Sequence, residues 1–168
     1  MMQPNVENKL HENDFIVSKT DTKGIITYCN RIFMDMAKYE EAELLGKPHN
    51  IVRHEDMPKA VFKLLWQEIK KKNEVFAYVK NKSKDGSFYW VYANVSASLD
   101  SNGDIIGYYS VRRKPNENAL NTIKEVYSKM ISLEKSSTDE ASFNYLLDVV
   151  TSHGMEYNEL IVHLQNNS

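Results

Sequence analysis

A single cysteine, Cys29, occurs in 168 residues. An intrachain disulfide is therefore excluded, and so is a zinc site built on thiolates. Nowhere does the chain carry the roughly eighteen consecutive apolar residues that a membrane-spanning helix needs. Residues 1–13 are polar and lack the apolar segment of a signal peptide, so the expected compartment is the cytoplasm. Any membrane-linked role would then run through a partner. The formal net charge of −2 is not that of a surface built to hold nucleic acid or acidic lipid. The histidines, His11, His49, His54, His153 and His163, show no metal-ligand spacing, although one histidine alone can ligate a haem iron. A Gly-rich phosphate loop, a nucleophile elbow and a locally paired carboxylate motif are all missing. An enzymatic reading has no motif to rest on.

What is present is a globular composition, 42% hydrophobic and 26% charged, in a length that suits one domain plus an appendage. Residues 1–13 are expected to be flexible or loosely helical. Phe15–Thr20 and Gly24–Cys29 are short β-prone runs around an Asp21-Thr22-Lys23-Gly24 turn signal, which predicts a hairpin. Asn30 can cap a helix with its side-chain oxygen, and Ile32, Phe33, Met36 and Ala37 recur at helical spacing. A further short helix is expected over Glu40–Leu45. His49–Asp56 has no clear period. Pro58 stands where a helix can begin, and Val61, Phe62, Leu65 and Ile69 continue it to Lys72. Three β-prone runs follow, Val75–Lys82, Phe88–Leu99 and Ile105–Arg113. They are broken at Lys84-Asp85-Gly86 and Asp100-Ser101-Asn102-Gly103. The order β-β-α-α-α-β-β-β predicts an α+β fold, a five-stranded antiparallel sheet with short helices on one face.

After Pro115 the pattern is helical. Leu120, Ile123, Val126, Tyr127, Met130 and Ile131 form one stripe. Ser137-Thr138-Asp139-Glu140 has the form of a capping box, opening a second helix. Phe143, Val150, Tyr157 and Leu164 recur there every seven residues beside Leu146, His153 and Leu160. This spacing predicts a seam over residues 139–164, interrupted by His153, that pairs with another chain. The other possibility is a helix folded back over the domain's own sheet.

The stretch Lys47-Pro-His-Asn-Ile-Val-Arg-His-Glu-Asp-Met-Pro-Lys-Ala60 carries more specific information. With Val79-Lys-Asn81, Lys84-Asp-Gly86, Tyr89-Trp-Val91 and Ala93-Asn94, it closely resembles the PAS domain of the bacterial aerotaxis receptor family. The resemblance covers roughly residues 14–114, which makes 115–168 a C-terminal helical signalling or interaction region. It implies a PAS fold, noncovalent FAD and a redox or energy sensor that is not an enzyme. It also implies output to the chemotaxis machinery. The short length resembles the arrangement in which a soluble PAS protein works beside a separate membrane chemotaxis transducer, with a homodimer through the C-terminal helices as a further possibility. A haem b gas sensor and a cofactor-free interaction adaptor on the same fold remain as alternatives.

On that resemblance the cofactor-binding candidates are Asn30, Arg53, His54, Asp56, Phe62, Trp66, Asn81 and Tyr89. The chemistry of each side chain fits. Arg53 offers a cationic donor fork for phosphate or a negatively charged ring. His54 can donate and titrate. Asp56 can accept from a ring N–H or hold Arg53. Asn30 and Asn81 can donate and accept together, and Phe62, Trp66 and Tyr89 can wall a flat ring. Each also has a plain structural role, Asn30 and Asp56 as helix caps above all. One departure is Val75, where many relatives carry Trp. Cys29-Asn30-Arg31 differs in residue order and position from the Asn-Cys-Arg motif of flavin photosensors, so Cys29 reads as a buried strand residue.

Overall fold

The structure, a computed structural model, describes residues 2–167; Met1 and Ser168, the outermost residues of the expected terminal segments, lie outside the described residues. Five strands, β1 (Ile16–Thr20), β2 (Ile26–Cys29), β3 (Val75–Lys82), β4 (Phe88–Leu99) and β5 (Ile105–Arg113), form one antiparallel sheet in the order β2-β1-β5-β4-β3. The turns are made by the residues that predicted them. Asp21 Oδ1 accepts from the N–H groups of Lys23 and Ile25, and Asp100 Oδ1 accepts from Asn102 and Asp104. Between β2 and β3 come α1 (Arg31–Ala37), α2 (Glu41–Leu44), a 3-10 turn (His49–Val52) and α3 (Lys59–Lys70).

Alternation along the strands gives the sheet two buried faces. On the inner face Ser18, Val79, Asn81, Ala93 and Arg112 look toward the 3-10 turn and α3. On the outer face Phe76, Tyr78 and Tyr92 stack on one another, and Trp90 meets Tyr127. An antiparallel sheet can leave such a face to water, but this one is aromatic and must be covered.

The cover is the C-terminal region, and here the expectation of one continuous seam helix is corrected. Three helices follow the sheet: α4 (Glu117–Ser136), α5 (Asp139–Ser152) and α6 (Tyr157–Asn167). Gly154, at φ +67°, takes the left-handed backbone that breaks α5 from α6, and His153 caps α5 instead of sitting inside a seam. The N-cap of α5 is Thr138, not Ser137, because the Ser137 N–H still bonds Leu133 O at the end of α4. Leu146, Val150, Leu160 and Ile161 are buried in the same core as Tyr78, Trp90 and Tyr92. Tyr127 Oη donates to Tyr78 O at 2.7 Å, and Tyr78 Oη donates to Gln165 Oε1 at 3.0 Å. Asn158 seals the free edge of β3, accepting from Phe76 N and donating to Glu74 O. A bare edge would invite another strand. The apolar stripe is thus engaged within the chain, since α4 alone does not span the aromatic face.

The N-terminal segment also departs from expectation. Residues 2–13 form no helix. Val6 and Asn8 exchange backbone hydrogen bonds with Phe88, Gln3 bonds Asp85 O, and Leu10 is buried to 2% exposure. At Gly86, φ +86°, a β-carbon would lie 2.9 Å from Met2 Cε and 3.2 Å from Gln3 N, so the strap fits only over glycine.

Candidate functional site

A cavity of about 130 Å³ lies between the inner face and the segment from His49 to Ile69. Its position follows from local structure. Pro48 pairs with Ile25, the 3-10 turn ends at Arg53, and Arg53 forms an isolated antiparallel bridge with Asn81 on β3. That bridge brings the middle of the signature segment against the sheet. Beyond it α3 turns Phe62, Leu65, Trp66 and Ile69 toward the cavity, a helical stripe on one face.

Four of the eight candidates line the space: Arg53, Phe62, Trp66 and Asn81. The Arg53 guanidinium lies 3.8 Å from the centre of the Phe62 ring, and partial burial lowers its pKa. Trp66 meets Tyr108 edge-on, with ring centres 5.3 Å apart. Asn81 is buried at the polar end.

The other four lie elsewhere. Asn30 caps α1: its Oδ1 accepts from Val17 N and Phe33 N, and its Nδ2 donates to Phe15 O, so the amide is fully engaged in joining β1 to α1. His54 and Asp56 turn round the edge of β3 toward the outer side. Position 80 points opposite to 79 and 81 on the strand, and Lys80 holds Asp56 at 2.9 Å. That hydrogen bond, more than any other influence, keeps the Asp56 carboxyl below its ordinary pKa. The His54 ring packs edge-on against Phe88, and its Nδ1 accepts from Asp56 N. Burial first, and then the Lys80 charge, lower its pKa. Tyr89 is fully buried beside Phe33 in the core next to the cavity. Burial pushes its phenol up to about 12, although the neighbouring Arg112 and Asn81 favour the ionised form. Val75 packs in the core with Ile69, off the cavity wall.

The sequence reading missed a second polar group. Ser18 on β1, His49 on the 3-10 turn and Arg112 on β5 meet at the cavity's sheet side. Ser18 Oγ lies 3.0 Å from His49 Nε2, Arg112 Nη1 lies 3.3 Å from the same nitrogen, and Arg112 Nη2 donates to Ser18 Oγ. His49 stacks on Phe33 with ring centres 5.7 Å apart. Burial, then the Arg112 charge, lower the imidazole pKa to about 3, so it is neutral. Alternation on β1 and β5 places Ser18 and Arg112 on the inner face, a signal that was available. Their meeting with His49 had none.

The donor set suits a flat, electron-rich ring. Two guanidinium groups and an amide, those of Arg53, Arg112 and Asn81, face one space with aromatic walls. Such donors match the carbonyl and nitrogen acceptors at the edge of a flavin. The cavity is smaller than the roughly 300–1,000 Å³ of typical ligand pockets, so a tricyclic ring requires its walls to widen. A haem iron is served less well. His49, the histidine on the wall, has its Nε2 against Ser18 and Arg112. Among the described residues no group of three or more His, Cys, Asp or Glu side chains could hold a metal. No helix among them is long and apolar enough to cross a membrane.

Comparisons with known proteins bear on the family and the fold. The family model described as the PAS fold matches residues 6–113. The aerotaxis receptor of Escherichia coli (strain K12) is 36% identical over 121 residues, 72% of this chain and 24% of that protein. A nitrogen fixation regulatory protein of Klebsiella pneumoniae is 25% identical over 97 residues, 58% of this chain and 20% of that protein. The chain therefore spans about a quarter or less of the length of these relatives. Among solved structures, a light-oxygen-voltage domain studied with a flavin analogue superposes with TM-score 0.57 at 24% identity, covering 68% of this chain and 86% of that one. A PAS domain from Colwellia psychrerythraea gives TM-score 0.55 at 16% identity, covering 60% and 85%. At these identities the two structures speak for the fold.

Proposed function

The chain belongs to the PAS family, a domain of the aerotaxis-receptor type, and on that premise we propose that it is a redox or energy sensor. It holds FAD noncovalently and passes the signal to a membrane chemotaxis transducer. The observation that carries this reading is the cavity itself, in which Arg53, Asn81 and Arg112 converge between aromatic walls. When bound, the flavin supplies reversible uptake of electrons. Arg53 and Asn81, already joined through their backbones, would donate to the ring edge, while Phe62 and Trp66 exclude water from its faces.

Coupling to the C-terminal helices runs through α3. Its N-terminus follows the cavity segment directly and has no cap of its own; Pro58 is the N-cap residue. The missing acceptor comes from α4. Glu134 accepts from Lys59 N at 2.9 Å, from Ala60 N at 3.2 Å and from Ser142 Oγ on α5 at 2.7 Å. A shift of α3 at the cavity is thus passed by one carboxylate to α4 and α5, and packed helices move between discrete arrangements. Because the apolar stripes of α5 and α6 are engaged within the chain, the transducer would meet the outer surface of this helical layer.

The experiment is an absorption spectrum of the purified protein, with chromatography of the ligand released by heat. Flavin bands that bleach on reduction, with FAD released, are expected. A Soret band without flavin would replace this reading with haem, and no chromophore at all would leave an interaction adaptor. Arg53→Ala should lower FAD retention by about one to two decades, the loss of a charge-assisted hydrogen bond of about 1.5–3 kcal/mol, and Asn81→Ala by up to about one decade, the loss of a neutral one of about 0.5–1.5 kcal/mol. Unchanged retention in both variants would place these residues outside the binding contacts.

A further inference from the structure

Arg112 is 2% exposed. Among the described residues no carboxylate pairs with it, the ion pairs all lying elsewhere. Its hydrogen-bond partners are the neutral Ser18 hydroxyl and the His49 ring. The face of Phe33 lies 4.6 Å from the guanidinium carbon, and the neutral Tyr89 phenol is a further neighbour. Nε has no partner, and the side chain lines the cavity. Burial lowers its pKa to about 10, so it remains a cation at neutral pH. A buried charge without a counter-charge is a liability to a fold, and Arg53, the other guanidinium on this wall, adds charge of the same sign. Among the described residues the cavity wall therefore carries two cations and no carboxylate.

We infer that Ser18, His49 and Arg112 form an anion subsite on the sheet side of the cavity, where Arg112 holds the negative charge that the ligand carries or gains. The ligand class is a flat ring with an ionisable or strongly electron-rich edge, held by the charge of the Arg112 guanidinium on the cavity wall. Ser18 and His49, on the same wall, fix the guanidinium plane through Nη2 and Nη1. In combination with the flavin reading, on which this part rests, Arg112 is a positioning residue that favours the reduced, charged ring over the oxidised, neutral one. Phe33 and His49, stacked together, screen the guanidinium from solvent.

The test compares wild type, Arg112→Met and Arg112→Lys as full chains, each with and without FAD. Without ligand, Arg112→Met should melt at or above the wild-type temperature. An unpaired buried charge has gone, while Ser18 and His49 retain each other at 3.0 Å. With FAD, oxidised-state affinity should change by less than about threefold, while affinity for chemically reduced FAD falls by about a hundredfold. That difference lowers the midpoint potential by about 59 mV for a two-electron couple. Arg112→Lys should retain most of the preference. A ligand-free Arg112→Met that melts lower or fails to fold would make Arg112 a structural residue and overturn the inference. Equal losses in both redox states would do the same. If wild type binds no FAD, the flavin reading fails, and the ligand-free melting comparison alone decides the subsite.

Discussion

Removing everything after Lys135 should unfold the sensor, not merely silence it. The deletion takes away α5 and α6, and with them Leu146, Val150, Leu160 and Ile161, each no more than 6% exposed. Burying one such side chain contributes about 1.5–3 kcal/mol, so the four together contribute roughly 6–12 kcal/mol. The whole stability of a domain this size is about 5–15 kcal/mol. The loss is larger than this sum suggests, because the remaining half of the interface is uncovered too. Tyr78 loses its bond to Gln165, and the Glu74 carbonyl and Phe76 N–H at the edge of β3 lose Asn158. An open strand edge below a bare aromatic face favours association between copies.

The assay is thermal unfolding followed by circular dichroism, with size-exclusion chromatography and binding of a hydrophobic dye. The truncated chain should lose its cooperative transition or melt far below the full chain, bind dye and elute as aggregates. Leu160→Ala gives a milder version at about 2–5 kcal/mol. A truncated protein that stays monomeric and melts within two or three degrees of the full chain, as order-of-magnitude limits for a change of about 1 kcal/mol, would refute the reasoning. α5 and α6 would then be a separate appendage available to a partner.

Two further perturbations address the site. Glu134→Ala removes the acceptor for Lys59 N, Ala60 N and Ser142 Oγ; it should cost about 0.5–2 kcal/mol as a lost helix cap. Amide exchange should quicken at residues 59–60 and at the start of α5, and unchanged protection at both would disconnect the cavity segment from the C-terminal helices. His49, its pKa held at about 3 by burial, stays neutral when folded but takes a proton near its ordinary pKa when unfolded. Stability is therefore full above about pH 6.5 and declines by up to about 1.4 kcal/mol per pH unit as pH falls toward 3. His49→Gln should flatten the decline between about pH 6.5 and 5, above the range of most carboxylates, and an identical slope in the variant would exclude His49 as its source.

The strands and turns were legible in the sequence because their causes are local. β-branched and aromatic runs alternate along each strand, and Asp21 and Asp100 close their turns with atoms from within four residues. Asn30 as the cap of α1 was legible for the same reason, and the signature around Arg53 marked the segment that closes the cavity. The direction of His54 and Asp56 was not legible, because it depends on how an aperiodic segment crosses the edge of β3 and on the outward-facing Lys80 it meets there. Nor was the cluster of Ser18, His49 and Arg112, whose members lie 31 and 63 positions apart along the chain. The heptad spacing of the C-terminal region stated that an apolar stripe needed a partner. It did not state which partner, because a seven-residue repeat is equally well buried by another helix or by a sheet. The uncovered aromatic face of Phe76, Tyr78, Trp90 and Tyr92 decided that, and it exists only once β3 and β4 have paired.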